Sequence, residues 1–256
     1  MNITEISSRD NAFVKELRRL SRESGMYRKL GYSWLEGDHL CRAAITRGLK
    51  PKVAVFAKSF WPQVPSEWAT AAAKVVVLDD ALFADISGLE SPARMGYVMP
   101  WAADVQVLAG VATIVLDRVQ DAGNVGSILR SASAFGFQQI VALKGTAALW
   151  SQKVLRAGMG AHFALHLVEG VEPAVLQQLL VPLLVTSSHC GDLIHATTLP
   201  WPCAWAMGHE GQGVGEAVEA LAAQYVRIAQ PGGEESLNVA AAAAICLHAS
   251  AVSALK

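Results

Sequence analysis

The sequence has few charged residues, few cysteines and no long uninterrupted apolar run. Charged residues make up 17% of its 256 residues and hydrophobic residues 52%, a balance that excludes an intrinsically disordered chain. No apolar stretch reaches the 18 residues of a candidate membrane helix. The first ten residues lack the charged and apolar regions of a secretory signal. The four scattered cysteines form no CxxC pair, so we expect reduced core thiols in a cytoplasmic protein.

The common nucleotide fingerprints and metal-ligand patterns are also missing. Gly211 and Gly213 begin a GxGxxG pattern, but Glu216 stands where its last glycine belongs, and no GxxxxGK[ST] occurs. His162 and His166 would share a face of a strand predicted at 163–168 if it reached back to include both, yet no third ligand lies within sequence reach. We therefore expect neither a dehydrogenase, nor a P-loop enzyme, nor a metal site.

The small net charge hides an asymmetry along the chain. Residues 1–60 carry 12 Lys/Arg against 6 Asp/Glu, whereas residues 61–256 carry 9 against 16. This distribution is typical of a chain that holds a polyanion from its N-terminal end, although a solvated basic helix face would give the same count. If the partner is a nucleic acid, the candidate contacts lie on and just after the first predicted helix: Lys15, Arg18, Arg19, Arg22, Arg28 and Lys29.

Alternating helix and strand patterns predict two α/β domains. We expect a small α/β domain over residues 1–98, a linker over 99–110 and a larger domain over 111–256. In the larger domain, strands are predicted at 112–117, 138–143, 163–168, 182–187, 203–207 and 225–229. Helices are predicted at 124–135, 150–157, 171–180, 214–223 and 238–255. This alternation indicates a mostly parallel sheet with helices on both faces, in which ligands bind at the carboxyl ends of the strands.

Three of the loops that follow predicted strands resemble, in order and spacing, the motifs of one enzyme family. They are "DAGNVGSILRSASAFG", "MGHEGQGV" and "IAQPGGEESLNVAAAAAI". The set resembles the SpoU (TrmH-like) family of RNA ribose 2′-O-methyltransferases within the SPOUT superfamily. The N-terminal segment "NAFVKELRRLSRESGMYRKLGYSWLEGDHL" is similar to the L7Ae/L30e-like substrate-binding domain that often precedes it.

The resemblance implies a fold, a cofactor and an assembly. It implies a trefoil knot in the C-terminal domain, S-adenosylmethionine bound by the knot loops, and a homodimer with the site at its interface. Ribosomal RNA is the expected substrate, ahead of tRNA. The implied cofactor contacts are Thr186, Ser187, Ser188, Met207, Gly208, Glu210, Gly211, Ile228, Leu237 and Asn238. The implied catalytic residues are Arg130, Asn124, Glu210, Ser236 and Asn238.

Arg130 is the first candidate for an essential residue, with two roles open. The resemblance implies a base that accepts the hydroxyl proton, but neutralising a guanidinium at pH 7 costs roughly 7–9 kcal/mol. A planar guanidinium is better suited to clamp the RNA phosphate beside the target ribose. Asn124 is predicted to cap helix 124–135 and thereby to orient Arg130, and Gly136 to end that helix. Glu210 is expected to hold its own loop or Arg130.

The sequence departs from the family pattern at three places. Alanine replaces the usual proline at position 122 and the usual serine at 240, and Gly232 stands where methionine commonly follows the proline. None of these changes removes Asn124, Arg130, Glu210 or Asn238, so we expect an active enzyme. Two alternatives remain open at this point: a catalytically silent RNA-binding protein of the same fold, and a SPOUT enzyme that methylates a base.

Overall fold

The computed structural model describes residues 2–88, 91–187, 190–232 and 237–255. These residues form twelve strands and nine α-helices. The strands are β1 (Asn2–Ile6), β2 (Tyr32–Glu36), β3 (Val53–Ala57), β4 (Lys74–Leu78), β5 (Met95–Pro100), β6 (Thr113–Leu116), β7 (Gln139–Leu143), β8 (His166–Val171), β9 (Leu183–Thr186), β10 (Asp192–Leu193), β11 (Ala204–Met207) and β12 (Gln224–Arg227). The helices are α1 (Ala12–Arg22), α2 (Met26–Leu30), α3 (Asp38–Thr46), α4 (Ser66–Thr70), α5 (Asp80–Ile86), α6 (Ala122–Ala134), α7 (Gln152–Gly158), α8 (Glu216–Glu219) and α9 (Val239–Ser253).

Contacts within the chain divide it into two compact units. One contains residues 1–104 and 150–163, and the other contains residues 105–149 and 164–256. Helix α7 therefore groups with the N-terminal residues, whereas the sequence pattern places it in the larger domain. The division into domains at 1–98 and 111–256 stays a prediction.

The first unit is built on a mixed five-stranded sheet. Its strand order is β1-β4-β3-β5-β2, with β1, β4 and β3 parallel and the pairs β3/β5 and β5/β2 antiparallel. Helix α1 buries Val14, Leu17 and Leu20, which recur at helical spacing and so form one apolar face. The side chain of Asn11 caps the start of α1 by accepting the N–H of Phe13 at 2.9 Å. The apolar runs in "YSWLEG", "KVAVFA" and "KVVVLD" predict β2, β3 and β4, whereas β1 and β5 are not expected from the sequence.

The second unit is built on a seven-stranded sheet in which every pair of neighbours is parallel. Its order is β10-β12-β9-β11-β6-β7-β8. Strands β6, β7 and β11 are buried along their whole length, as expected for central strands covered on both faces. The predicted parallel α/β sheet is thus confirmed, with the two-residue β10 added at one edge. The trefoil knot stays a prediction.

Three predicted elements lie elsewhere or are shorter than expected. The strand predicted at 163–168 corresponds to β8 (His166–Val171). It begins later than predicted because Ala161–Ala164 form a 3-10 helix. The helix predicted at 171–180 is a 3-10 helix over Pro173–Gln178 that follows β8 directly. The helix predicted at 214–223 is the single turn α8. None of the described helices is long and apolar enough to cross a membrane.

Candidate active site

The turn between β6 and α6 is capped by Asp121 and not by Asn124. The Asp121 carboxylate accepts the backbone N–H of Asn124 at 2.7 Å, and α6 begins at Ala122. The prediction that Asn124 caps the helix is therefore wrong. Asn124 lies inside the first turn of α6, and its backbone N–H is bound by the cap residue Asp121. The prediction that Gly136 ends helix α6 is confirmed. Gly136 has φ 79°, and Phe137 donates its N–H to the carbonyl of Ala132 at 3.0 Å.

The side chain of Asn124, which the cap does not use, joins the two other family segments. Its Nδ2 donates to Oε1 of Glu210 at 3.1 Å, and its Oδ1 accepts a hydrogen bond from Nδ2 of Asn238 at 3.0 Å. Asn238 also caps α9, since its Oδ1 accepts the N–H groups of Ala240 and Ala241 at 2.9 and 3.2 Å. Three of the predicted catalytic residues thus form one hydrogen-bonded row, which we call the amide–carboxylate network (Asn238, Asn124 and Glu210).

Glu210 binds the turn of the first segment and not Arg130. Besides Asn124, its carboxylate accepts the backbone N–H groups of Gln120 and Asp121 at 3.3 and 3.2 Å. Burial works to raise the pKa of Glu210, but the hydrogen bonds from Asn124 and from backbone amides outweigh it and lower the pKa. Glu210 is therefore an ionised acceptor that holds the turn in place.

Arg130 is exposed on α6, and it makes no hydrogen bond or ion pair with the residues that the structure describes. Of the two roles expected for Glu210, holding the Arg130 guanidinium is therefore not observed. The guanidinium remains available to an incoming group from solvent.

The predicted cofactor residues gather at the carboxyl ends of three neighbouring strands. Thr186 ends β9, Met207 ends β11, and Ile228 follows β12; these strands lie side by side in the order β12-β9-β11. Ser187 donates its N–H to the carbonyl of Val226 at 3.1 Å. Two predicted residues, Ser188 and Ser236, lie outside the described residues.

The loop over residues 208–215 folds back on itself. Backbone hydrogen bonds of 2.9 and 2.8 Å join His209 and Gly213 in both directions. A Cβ at Gly208 would lie 2.1 Å from the carbonyl carbon of Gly213, so the loop's own packing requires this glycine. A Cβ at Gly211 would meet only the His209 ring at 3.8 Å, which leaves open space beside the main chain. Gly211 thus fits the expected close approach of a ligand to the backbone, whereas Gly208 has a structural reason.

Asp117 and Arg118 are part of this edge, and sequence analysis misses them. Asp117 is buried directly after β6, and its Oδ2 accepts the N–H of Gly215 at 2.6 Å. Arg118 donates to both oxygens of Asp117 at 3.0 and 3.2 Å and to Oε1 of Gln212 at 2.9 Å. The sequence signal that could have pointed to them is the position of these two charged residues, immediately after an apolar strand and shortly before the SpoU motif that begins at Asp121.

The model of the SpoU rRNA Methylase family matches residues 112–248, more than half of the chain. The chain belongs to the SpoU family. It is 28% identical over 250 residues to the 23S rRNA (guanosine(2553)-2′-O)-methyltransferase RlmP of Bacillus subtilis, covering 95% of this chain and 98% of that one. It is 31% identical over 277 residues to the uncharacterized tRNA/rRNA methyltransferase slr1673 of Synechocystis, covering 96% and 93%. The AdoMet-bound rRNA methyltransferase of Sinorhizobium meliloti matches with a TM-score of 0.82 at 26% identity, covering 97% of each chain.

Two departures from the SpoU pattern leave the starts of α6 and α9 capped. Ala122 occupies the first position of α6, where proline is favoured because its missing N–H is not needed, and Asp121 still caps the helix. Ala240 contributes its backbone N–H to the cap of α9, which a serine would do equally well. The SpoU chain therefore keeps both helix starts without the usual side chains.

The predicted RNA-binding residues of the SpoU chain differ in how far they are already paired. Lys15 pairs with Asp10 at 3.0 Å, and Arg19 pairs with Glu23 at 3.1 Å. Arg18 and Arg22 share one carboxylate, Asp85, with a third arginine, Arg9, at distances of 2.6, 3.3 and 3.2 Å. Arg28 lies over the ring of Tyr27, and Lys29 is exposed. Among the cations that pair with carboxylates here, only the arginine cluster (Arg9, Arg18 and Arg22) carries positive charge in excess, because its three arginines share one carboxylate.

The two histidines considered as metal ligands do not lie in one strand. His162 lies in a 3-10 helix and His166 in β8. Over residues 2–88, 91–187, 190–232 and 237–255, no group of three or more His, Cys, Asp or Glu side chains could hold a metal ion.

Proposed function

We propose that this protein transfers the methyl group of S-adenosylmethionine to a ribose 2′-hydroxyl of ribosomal RNA. The observation that carries the proposal is the amide–carboxylate network. Asn124, Glu210 and Asn238 come from the three SpoU segments, and the fold joins them by hydrogen bonds at the edge where parallel sheets bind ligands. Relatives named for rRNA 2′-O-methylation and an AdoMet-bound neighbour support the same reaction and cofactor.

The cofactor would be held by residues at the ends of β9, β11 and β12 and at the start of α9. The intermediate exposure of Thr186, Ser187 and Ile228 and the open space beside Gly211 fit a ligand that is bound at this edge through main-chain groups. Ser188, Met207, Gly208, Glu210, Leu237 and Asn238 complete the proposed set. When bound, S-adenosylmethionine supplies an electrophilic methyl group on a sulfonium.

The residues of the network would position the reactants and not transfer the proton. A carboxylate that already accepts three hydrogen bonds and whose pKa is lowered is a weak proton acceptor, so we assign Glu210 a positioning role. By fixing Asn124 and the start of α6, it fixes the helix that carries Arg130. Holding the reacting groups at a near-attack geometry can supply a large part of the reduction of the barrier.

Arg130 is the group that we assign to the RNA. Its exposed guanidinium has no partner among the described residues, which suits a side chain that clamps a phosphate beside the target ribose. A role as the base would require it to lose a proton at neutral pH. We therefore favour the clamp.

The active form is proposed to be a homodimer that forms through α9. Ile245 and Val252 lie seven residues apart on α9 with exposed fractions of 40% and 41%, and Leu255, just beyond the end of the helix, is 87% exposed. An apolar stripe at this spacing on a helix is typical of a helix that packs against another helix. We also place the protein in the cytoplasm, because its four cysteines are free thiols.

Isothermal titration with S-adenosylmethionine tests the proposal against a catalytically silent RNA-binding protein. Binding at a stoichiometry of one cofactor per chain supports the methyltransferase. The absence of binding, together with retained RNA binding, would establish the silent alternative. Arg130→Ala serves as a control, since it should bind the cofactor within a few-fold of wild type.

A further inference from the structure

Arg118 adopts a backbone conformation that a residue with a side chain rarely takes. Its φ is 61°, in the left-handed region that is unfavourable for a residue with a Cβ. A non-glycine residue in this region is a reason to look for a function, because the surrounding structure has to maintain the strain. Arg118 lies directly after β6, at the same edge of the sheet as the amide–carboxylate network.

The side chain of Arg118 connects three loops at this edge. Its stem packs over Gly145, where a Cβ would lie 3.1 Å from the Cγ of Arg118. Its guanidinium donates to both oxygens of Asp117 and to Gln212 at 3.0, 3.2 and 2.9 Å. Its backbone N–H donates to Oγ1 of Thr146 at 3.1 Å. The loops after β6, β7 and β11 are thus joined through one residue.

Asp117 connects Arg118 to the end of the 208–215 loop. The carboxylate accepts the N–H of Gly215 at 2.6 Å as well as the two donors of Arg118. Because Asp117 neutralises Arg118, the pair is not a site for an anion, although it lies at a ligand-binding edge. The two residues instead hold the loop over 208–215 at Gln212 and Gly215, which follow Glu210 in the sequence.

We propose that Asp117 and Arg118 are positioning residues that lock the 208–215 loop so that Glu210 reaches Asn124 and Gly211 faces the cofactor. This inference rests on the proposed function only for its link to the cofactor. The loop is then held from two sides: by Asp117 and Arg118 near its end, and through Glu210 by the amides of Gln120 and Asp121.

The variant Arg118→Gly separates this role from a merely structural one. Glycine accepts a positive φ without strain, so the substitution removes the guanidinium while it relieves the backbone. We expect faster amide hydrogen exchange at Gly211–Gly215 and a cofactor affinity reduced about tenfold. The melting temperature should fall despite the relieved backbone, because the buried Asp117 carboxylate loses its cation. Gln212→Ala, which leaves the backbone of Arg118 untouched, should show the same changes in weaker form. Glu216→Gln, an exposed change next to the loop, is the matched control and should alter none of these.

Hydrogen exchange decides the inference whether or not the wild type binds S-adenosylmethionine. Wild-type exchange rates at Gly211–Gly215 in both Arg118→Gly and Gln212→Ala would overturn it. Faster exchange with unchanged cofactor affinity would overturn the claimed link to the cofactor site. A wild type that binds no cofactor would contradict the proposed function and leave the loop lock to be judged by exchange alone.

Discussion

Asn238 donates its side-chain amide to Oδ1 of Asn124 at 3.0 Å, across 114 positions of the sequence. Asn124 in turn donates a hydrogen bond to Glu210, so each of the three SpoU segments contributes one polar side chain to one row of hydrogen bonds. Asn124 has this freedom because Asp121 caps α6 in its place. The asparagine in "DAGNVGSILR" is therefore a link between loops and not a helix cap.

Removing the side chain of Asn124, which links Asn238 to Glu210, should reduce catalysis more than it reduces stability. Asn124→Ala keeps the cap of α6, which uses the backbone N–H of residue 124, but leaves Glu210 and Asn238 without their shared partner. We expect methyl transfer to fall at least about tenfold, with a small change in melting temperature. Gln138→Ala, which removes an exposed amide outside the network, is the control. Equal rates of methyl transfer in Asn124→Ala and Gln138→Ala would show that the link has no catalytic role.

The lowered pKa of Glu210 predicts how stability depends on pH. A carboxyl group whose folded pKa is lowered stabilises the protein above its unfolded pKa of about 4.3, and this stabilisation disappears as the pH falls through the folded value. The difference in urea midpoint between wild type and Glu210→Gln should therefore be constant from about pH 7 to 5 and shrink below about pH 4. Other acidic groups titrate in both proteins and cancel in the difference. A difference that stays constant down to about pH 3 would contradict the assignment of the pKa shift.

Much of the fold, and part of the site, follows from the sequence. The central strands β6, β7 and β11 are short apolar runs, so their positions and the parallel sheet could be predicted. Strand β1, at a sheet edge and mostly exposed, and the two-residue β10 carry no such signal. The motifs indicate which loops meet, since the carboxyl ends of parallel strands share one edge.

The contacts within the site could not be predicted from the same patterns. Asp121 and Asn124 are both good capping residues, and only the backbone geometry decides which of them caps α6. The partner of Glu210 depends on where a loop 86 residues away in sequence comes to lie. Asp117 and Arg118 stand before the recognisable motif, and their role depends on a positive φ that no local sequence signal announces at an arginine.

The arginine cluster should contribute more to RNA binding than the neighbouring paired cations. Arg9, Arg18 and Arg22 share a single carboxylate, whereas Lys15 and Arg19 each have their own. Each lost phosphate contact reduces the slope of log K against log salt by about 0.7–0.9. The double variant Arg9→Gln/Arg22→Gln should therefore reduce the slope for an in vitro transcribed 23S rRNA more than Lys15→Gln/Arg19→Gln, which removes the same charge. Equal reductions would indicate a diffuse basic surface.

The stripe on α9 should determine the oligomeric state. Placing a carboxylate in a packed apolar contact is unfavourable, so Ile245→Asp/Val252→Asp should convert a dimer to a monomer in light scattering. Leu180→Asp makes the same kind of change at a residue that is 78% exposed and outside α9, and this variant should remain dimeric. A wild type that is monomeric at micromolar concentration would contradict the proposed homodimer.

The central claim is tested most directly by identifying the methylated nucleoside. Wild-type protein and Arg130→Ala are each incubated with S-adenosylmethionine and an in vitro transcribed 23S rRNA, and the RNA is then digested to nucleosides and analysed by mass spectrometry. We predict a 2′-O-methylated nucleoside with the wild type and a loss of at least about a hundredfold with Arg130→Ala, whose exposed side chain does not support the fold. A methyl group on the base, or equal ribose methylation by both proteins, would contradict the account.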